Sequence, residues 1–299
     1  MIPLISTQCY GPLEVCHLPR LWWKASLNAA GRLAEDYPEC TPVLDSMVLD
    51  LLGLDKETAL GRIHSARPDY LSFEAWVRER TGGGPSPERI EEWNGSIRSR
   101  VHEQWKIDDI YPTLGFDGSE GVTSAVVLNH LEDWQFWYAR DLGGEALAAW
   151  SGRTVPLIST LDYGLLGVCQ LPRTWHKILL QAAGLLHSEY PGLGGGLDRR
   201  VVEDVLGLDS DRVVDHLTSE RPSYLRFEDW VRDQLGGRDV SGPVGEWNEY
   251  VRHRTHQADK RADIHGNLGR ADDGSLPESA VVLNHVEDWH FAHGILWAD

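Results

Sequence analysis

Two stretches of the chain, AVVLNHLEDW (125–134) and AVVLNHVEDW (280–289), each place Asn, His, Glu, Asp and Trp within one short run. At helical spacing Val127, Leu131, Trp134 and Tyr138 make an apolar face, with His130 at its edge and Asp133 three residues on. His285 and Asp288 repeat the pair. An imidazole and a carboxylate at that spacing can hydrogen-bond, which fixes the tautomer, raises the imidazole pKa and suits it to general-base work. His130, Asp133, His285 and Asp288 are therefore the predicted catalytic residues. The competing reading is a satisfied interior polar group packed on Trp. Glu132 points away to solvent, and Asn129 lies on the polar flank.

A second constellation is cationic. Around the helix predicted after Pro19, Leu18, Trp22, Ala25, Ala29 and Leu33 fall on one side, and Arg20, Lys24, Leu27 and Gly31 on the other. Arg173, Lys177, Leu180 and Gly184 repeat the second stripe, so the helix is expected to be covered on both faces. Two inward cations fit either a carboxylate or phosphate group of a substrate, or ion pairs to Asp45 and Asp198. Trp23 stands where the later stretch has His176, a divergence expected of residues that line a pocket. Arg20, Lys24, Arg173, Lys177, Trp23 and His176 are the predicted substrate-binding residues.

Other chemistry is weaker. His285, His290 and His293 share one predicted helix, but no grouping as recognisable as HExxH is present, and no metal site is predicted. Cys16 and Cys169 precede a helix start, where a thiol pKa can fall; a small buried thiol is the favoured reading. There is no Gly-rich phosphate loop, nucleophile elbow or dinucleotide fingerprint, so no cofactor is predicted.

The elements that must position these residues come in two copies. PLISTQCYGPLEVCHLPRLWWK (3–24) matches PLISTLDYGLLGVCQLPRTWHK (156–177), and 3–38 shares 22 of 36 residues with 156–191. LLGLD, FEAWVR and EWN return as VLGLD, FEDWVR and EWN at an offset that drifts only from 153 to 155. This spacing describes a tandem duplication of a whole domain. The expected domains are 1–143 and 155–299, joined by a Gly-marked linker at 144–154. Within each half the periodicity, caps and prolines are helical. The predicted fold is mainly α: two pseudo-symmetric helical domains of five to six helices each, packed as a pseudo-dimer. SPERIEEWNGSIRSRVHEQW is read as one helix.

LPRLWWKASLNAAGRLAEDY, LGLD, WVRER and SPERIEEWN, with their second copies LPRTWHKILLQAAGLLHSEY, WVRDQ and EWN, resemble a bacterial family known as domain-of-unknown-function family 5069. The resemblance implies a small helical domain, here as a fused pair, and implies no activity.

The totals bound the function. The 299 residues carry a formal net charge of −18, which argues against nucleic acid or an anionic membrane surface as partner. The start MIPLISTQCY lacks signal-peptide features, no run is apolar enough to span a membrane, and four cysteines form no CxxC pair. A cytoplasmic protein with reduced thiols and a small-molecule ligand is expected. The leading functional expectation is a cofactor-independent acid–base enzyme of the lyase, isomerase or cyclase kind, its cations suited to an anionic substrate. The alternative is a non-catalytic small-molecule-binding or scaffold protein.

Overall fold

The computed structural model describes residues 1–194 and 196–298. Fifteen α-helices account for its regular structure, and no β-strand occurs among the described residues. The fold is mainly α, as the periodicity predicts. No described helix is long and apolar enough to cross a membrane.

In chain order, α1 (Leu18–Ala29), α2 (Leu44–Leu52), α3 (Lys56–Ala66), α4 (Tyr70–Arg80) and α5 (Pro87–Arg98) come first. Next are α6 (Gln104–Leu114), α7 (Ala125–Phe136), which runs on into a π-turn at Trp137–Asp141, and the short α8 (Glu145–Ala148). The later part holds α9 (Leu171–Ala182), α10 (Gly196–Arg200) with a π-turn at Val201–Val205, α11 (Ser210–Ser219), α12 (Tyr224–Leu235) and α13 (Ser241–His253). The chain closes with α14 (Ala258–Asn267) and α15 (Ala280–Ala298). Local chemistry sets the ends: Asp55 accepts from Thr58 N at 2.8 Å to cap α3, and Gly53 stops α2 at φ +66°.

The division into compact units does not follow the expected 1–143 and 155–299. One unit joins residues 1–98 to 254–299; the other is 99–253. The stretch read as a single helix through Trp105 breaks after Arg98, where the chain leaves the first unit. Residues 100–102 instead run extended beside 123–125: Ala125 N donates to Arg100 O at 2.9 Å, and His102 N to Thr123 O at 3.0 Å. The return crossing is built alike, with Ala280 N donating to Arg254 O at 3.1 Å and Thr255 bridged to Ser279. These backbone bonds compete with helix continuation, which a periodicity argument does not see. The predicted linker also differs, since it contains α8 and buries Leu147 and Trp150 in the second unit. Seven α-helices rather than five or six fall within 1–143, because α6, which carries Pro112, is separate from α5.

Candidate functional site

All ten site residues predicted from sequence are less than 10 % exposed, which decides how each is used. In the first unit, Lys24 Nζ lies 2.6 Å from Asp45 Oδ2, and Thr41 donates to the same oxygen from N and Oγ1, each at 2.7 Å. His17 Nε2 sits 2.9 Å from Asp45 Oδ1. Burial alone would push the Asp45 carboxyl up, but His17 and Lys24 outweigh it and hold the group well below the usual carboxylate range. Arg20 Nη1 donates to the carbonyls of Pro3 (2.7 Å) and Ile5 (2.9 Å), tying the N-terminal segment to α1.

The second unit repeats the design. Lys177 Nζ is 2.5 Å from Asp198 Oδ2, and Gln170 Nε2 and Thr174 Oγ1 donate to Asp198 Oδ1, each at 2.7 Å. Arg173 Nη1 donates to Pro156 O (2.6 Å) and Ile158 O (2.8 Å). Of the two uses open to the cations, the geometry takes the internal one. His17 and Gln170 hold left-handed backbone at φ 74° and 73°, a strained setting that their bonds to the aspartate help to fix. His17 follows Cys16 in sequence, but its ring is held by a carboxylate 28 residues away.

The decamers also take a different role. The His130 ring turns toward the loop before α9, with Nδ1 3.1 Å from the Tyr163 carbonyl. The carboxylate facing it is Asp162, with Oδ1 3.3 Å from Nε2 but out of line for a hydrogen bond, and the expected His130–Asp133 pair is not formed. His285 Nδ1 likewise meets the Tyr10 carbonyl at 3.0 Å. Each imidazole stacks on its own helix's tryptophan, Trp134 at 5.2 Å and Trp289 at 5.0 Å. Those tryptophans in turn pack edge-on to Tyr224 and Tyr70, both at 4.6 Å. The asparagines bind the crossing segments: His102 Nε2 lies 2.9 Å from Asn129 Oδ1, and His256 Nε2 lies 2.7 Å from Asn284 Oδ1. The decamer is thus an assembly element.

Trp23 is buried against Trp22 at 5.6 Å. His176 is buried edge-on to Trp137 at 4.4 Å with neither ring nitrogen hydrogen-bonded, and burial pushes its pKa down to about 3. His293 Nε2 lies 3.0 Å from the Arg67 carbonyl. Among the described residues, no three His, Cys, Asp or Glu side chains are arranged to hold a metal ion. Burial pushes the Cys16 and Cys169 thiols up to about 12, the behaviour of inert interior thiols.

The groups that do reach a cleft were passed over in the sequence. On α4 of the first unit, Tyr70 and Glu74 are 2 % and 3 % exposed. Tyr70 and Glu74 interact with one another, and the Leu13 amide supports the carboxylate. Burial raises the Glu74 pKa, and Arg78 Nη2 stands 3.5 Å from its Oε1. A cleft of about 500 Å³ opens beside Glu74, lined by Leu71, Ala75, Arg78, Arg270 and Leu276. A smaller one of about 230 Å³ lies by Tyr70, Val286 and His290 and shares Leu71 and Arg270 with it. Among the described residues no carboxylate pairs with Arg270.

The matching groups of the second unit pack in the same way. Tyr224 Oη donates to Glu228 Oε1 at 2.8 Å, and the amides of Leu165 and Leu166 donate to Glu228 at 2.9 and 3.1 Å. The FEAWVR and FEDWVR repeats carried these glutamates in plain view, but nothing in the spacing marked them as buried. Gly164 is required at this contact, since a Cβ there would collide with the Tyr224 ring and come within 2.7 Å of Glu228 Oε1. Gly164→Ala is expected to lower stability by about 1–3 kcal/mol through overpacking, seen as a lower denaturant midpoint at unchanged slope.

No curated protein and no solved structure matches the chain. Residues 14–133 match the model of DUF5069, a domain of unknown function.

Proposed function

We propose that the protein is a cytoplasmic, tandem-duplicated binder of a small organic anion, with the ligand site in the cleft beside Tyr70, Glu74, Arg78 and Arg270. The observation that carries this reading is the Arg270 guanidinium, which lines both clefts and has no carboxylate partner among the described residues. Arg270 supplies the planar fork suited to a carboxylate or phosphate. Four free cysteines fit a reducing compartment, and 22 shared residues in 36 support the duplication.

A second reading keeps the acid–base enzyme of lyase, isomerase or cyclase type. It is favoured by the raised Glu74 pKa, because a buried carboxyl poised toward neutrality beside a cleft can carry a proton. On this reading Glu74 does the work first assigned to the histidines. His130 and His285 hold loops in place.

The test is thermal unfolding of the full chain with citrate or inorganic phosphate, against chloride at matched ionic strength. A ligand at 100 times its Kd adds about 2.7 kcal/mol, a readily measured rise in Tm. The rise is expected in the wild type and absent in Arg270→Ala, an exposed position where truncation leaves the fold intact. Equal shifts in both proteins, or none in either, sink the anion site.

A further inference from the structure

Each compact unit takes its parts from both sequence repeats. Residues 1–98 are completed by 254–299, which carry the second decamer, whereas the first decamer lies in 99–253 and completes the later repeat. The seams are specific. In the first unit His285 meets the Tyr10 carbonyl, Trp289 packs on Tyr70, His293 stacks on Trp22 at 5.9 Å, and Arg67 lies over the Trp297 ring at 4.3 Å. In the second, His130 meets the Tyr163 carbonyl, Trp134 packs on Tyr224, and Tyr138 Oη donates to the Arg221 carbonyl at 2.8 Å. The matched segment 14–133 straddles the crossing at 98/99, so the sequence unit of the family is not a folding unit in this chain.

We infer that the repeats are joined by reciprocal exchange of their C-terminal helix pairs, so that the surface around Tyr10, Trp22 and Tyr70 is a docking site for the helix pair of another copy of the repeat. The inference rests on the duplication proposed above but not on the anion cleft. The occupant is fixed by the seated side chains: both helix pairs present the same His and Trp to the same carbonyl and Tyr. An exchanged segment leaves its own repeat open, which is the geometry of domain swapping carried out inside one chain. The two halves are therefore obligate partners for one another, and a single-repeat chain needs a second copy to close.

Two measurements on the full chain test this. A protease site inserted at the exposed Ser151–Gly152 step allows the folded protein to be cut between the repeats. The fragments are expected to remain a 1:1 complex through gel filtration and to separate only when unfolded; fragments that part under native conditions overturn the inference. Hydrogen exchange then distinguishes exchange from simple side-by-side packing. Trp289→Ala is expected to lower amide protection in 1–98 at least tenfold while leaving 155–253 unchanged, and Trp134→Ala to do the reverse. Should an alanine variant fail to fold, Trp289→Phe and Trp134→Phe give the same polarity at smaller amplitude. Protection lost mainly within the mutated residue's own repeat refutes the exchange, whatever the cleft binds.

Discussion

Replacing Asp45 by alanine is expected to lower stability by about 3–5 kcal/mol, because it strands the Lys24 ammonium in a dry interior. Lys24 is 3 % exposed and Asp45 fully buried, so water cannot take over the lost partner. His17 and Thr41 lose their acceptor in the same step. The double variant Asp45→Ala with Lys24→Met is expected to recover much of the loss, since an apolar side chain of similar length needs no counter-charge. A coupling energy near zero between the two positions, from a double-mutant cycle in urea, refutes the account. The sign with pH follows from the depressed carboxyl. In the unfolded chain Asp45 titrates near 3.9, so its contribution is whole above about pH 4 and is lost as pH falls further.

The second large effect comes from His176 and appears at milder acidity. Its imidazole titrates at about 3 in the folded protein and near 6.5 once unfolded. Between those values the unfolded state binds a proton that the native state refuses, so stability falls as pH falls. From pH 6.5 to 4.5 the loss is about 2–3 kcal/mol. Neither ring nitrogen is hydrogen-bonded, so His176→Phe removes no polar contact and keeps the packing against Trp137. The variant is expected to match the wild type near pH 7.5 and to have a higher urea midpoint at pH 4.5. Parallel midpoints across that range count against the buried imidazole as the source of acid sensitivity.

Much of the helical fold is legible in the sequence because caps and periodicity act locally. Pro19, Gly53 and Asp55 mark ends that the structure places within a residue or two. The pairing of Lys24 with Asp45 and of Lys177 with Asp198 was also foreseeable, since a cation on a helix covered on both faces must find a carboxylate. The crossing at 98/99 was not, because the bonds that break the helix come from residues 123–125, beyond any local window. The His130–Asp133 expectation failed for a related reason. Spacing puts the two residues near one another but leaves the ring free to turn toward a better acceptor, here the Tyr163 carbonyl. Glu74 went unmarked because a carboxylate in an amphipathic helix looks solvated until its surroundings are known.

The double crossing of the chain has a consequence for how it leaves the ribosome. Residues 99–253 form one continuous stretch, so the second unit has all its parts before synthesis is finished. The first unit does not: its opening 98 residues, with Trp22, Trp23, Tyr70 and Phe73 in their core, wait for 254–299 to emerge. At ordinary elongation speed that wait is roughly 10–40 s. Throughout it the nascent chain carries an uncovered aromatic surface, a natural substrate for holding chaperones. Residues 254–299, made after the second unit has all its parts, are thus the lid that releases residues 1–98 from their care.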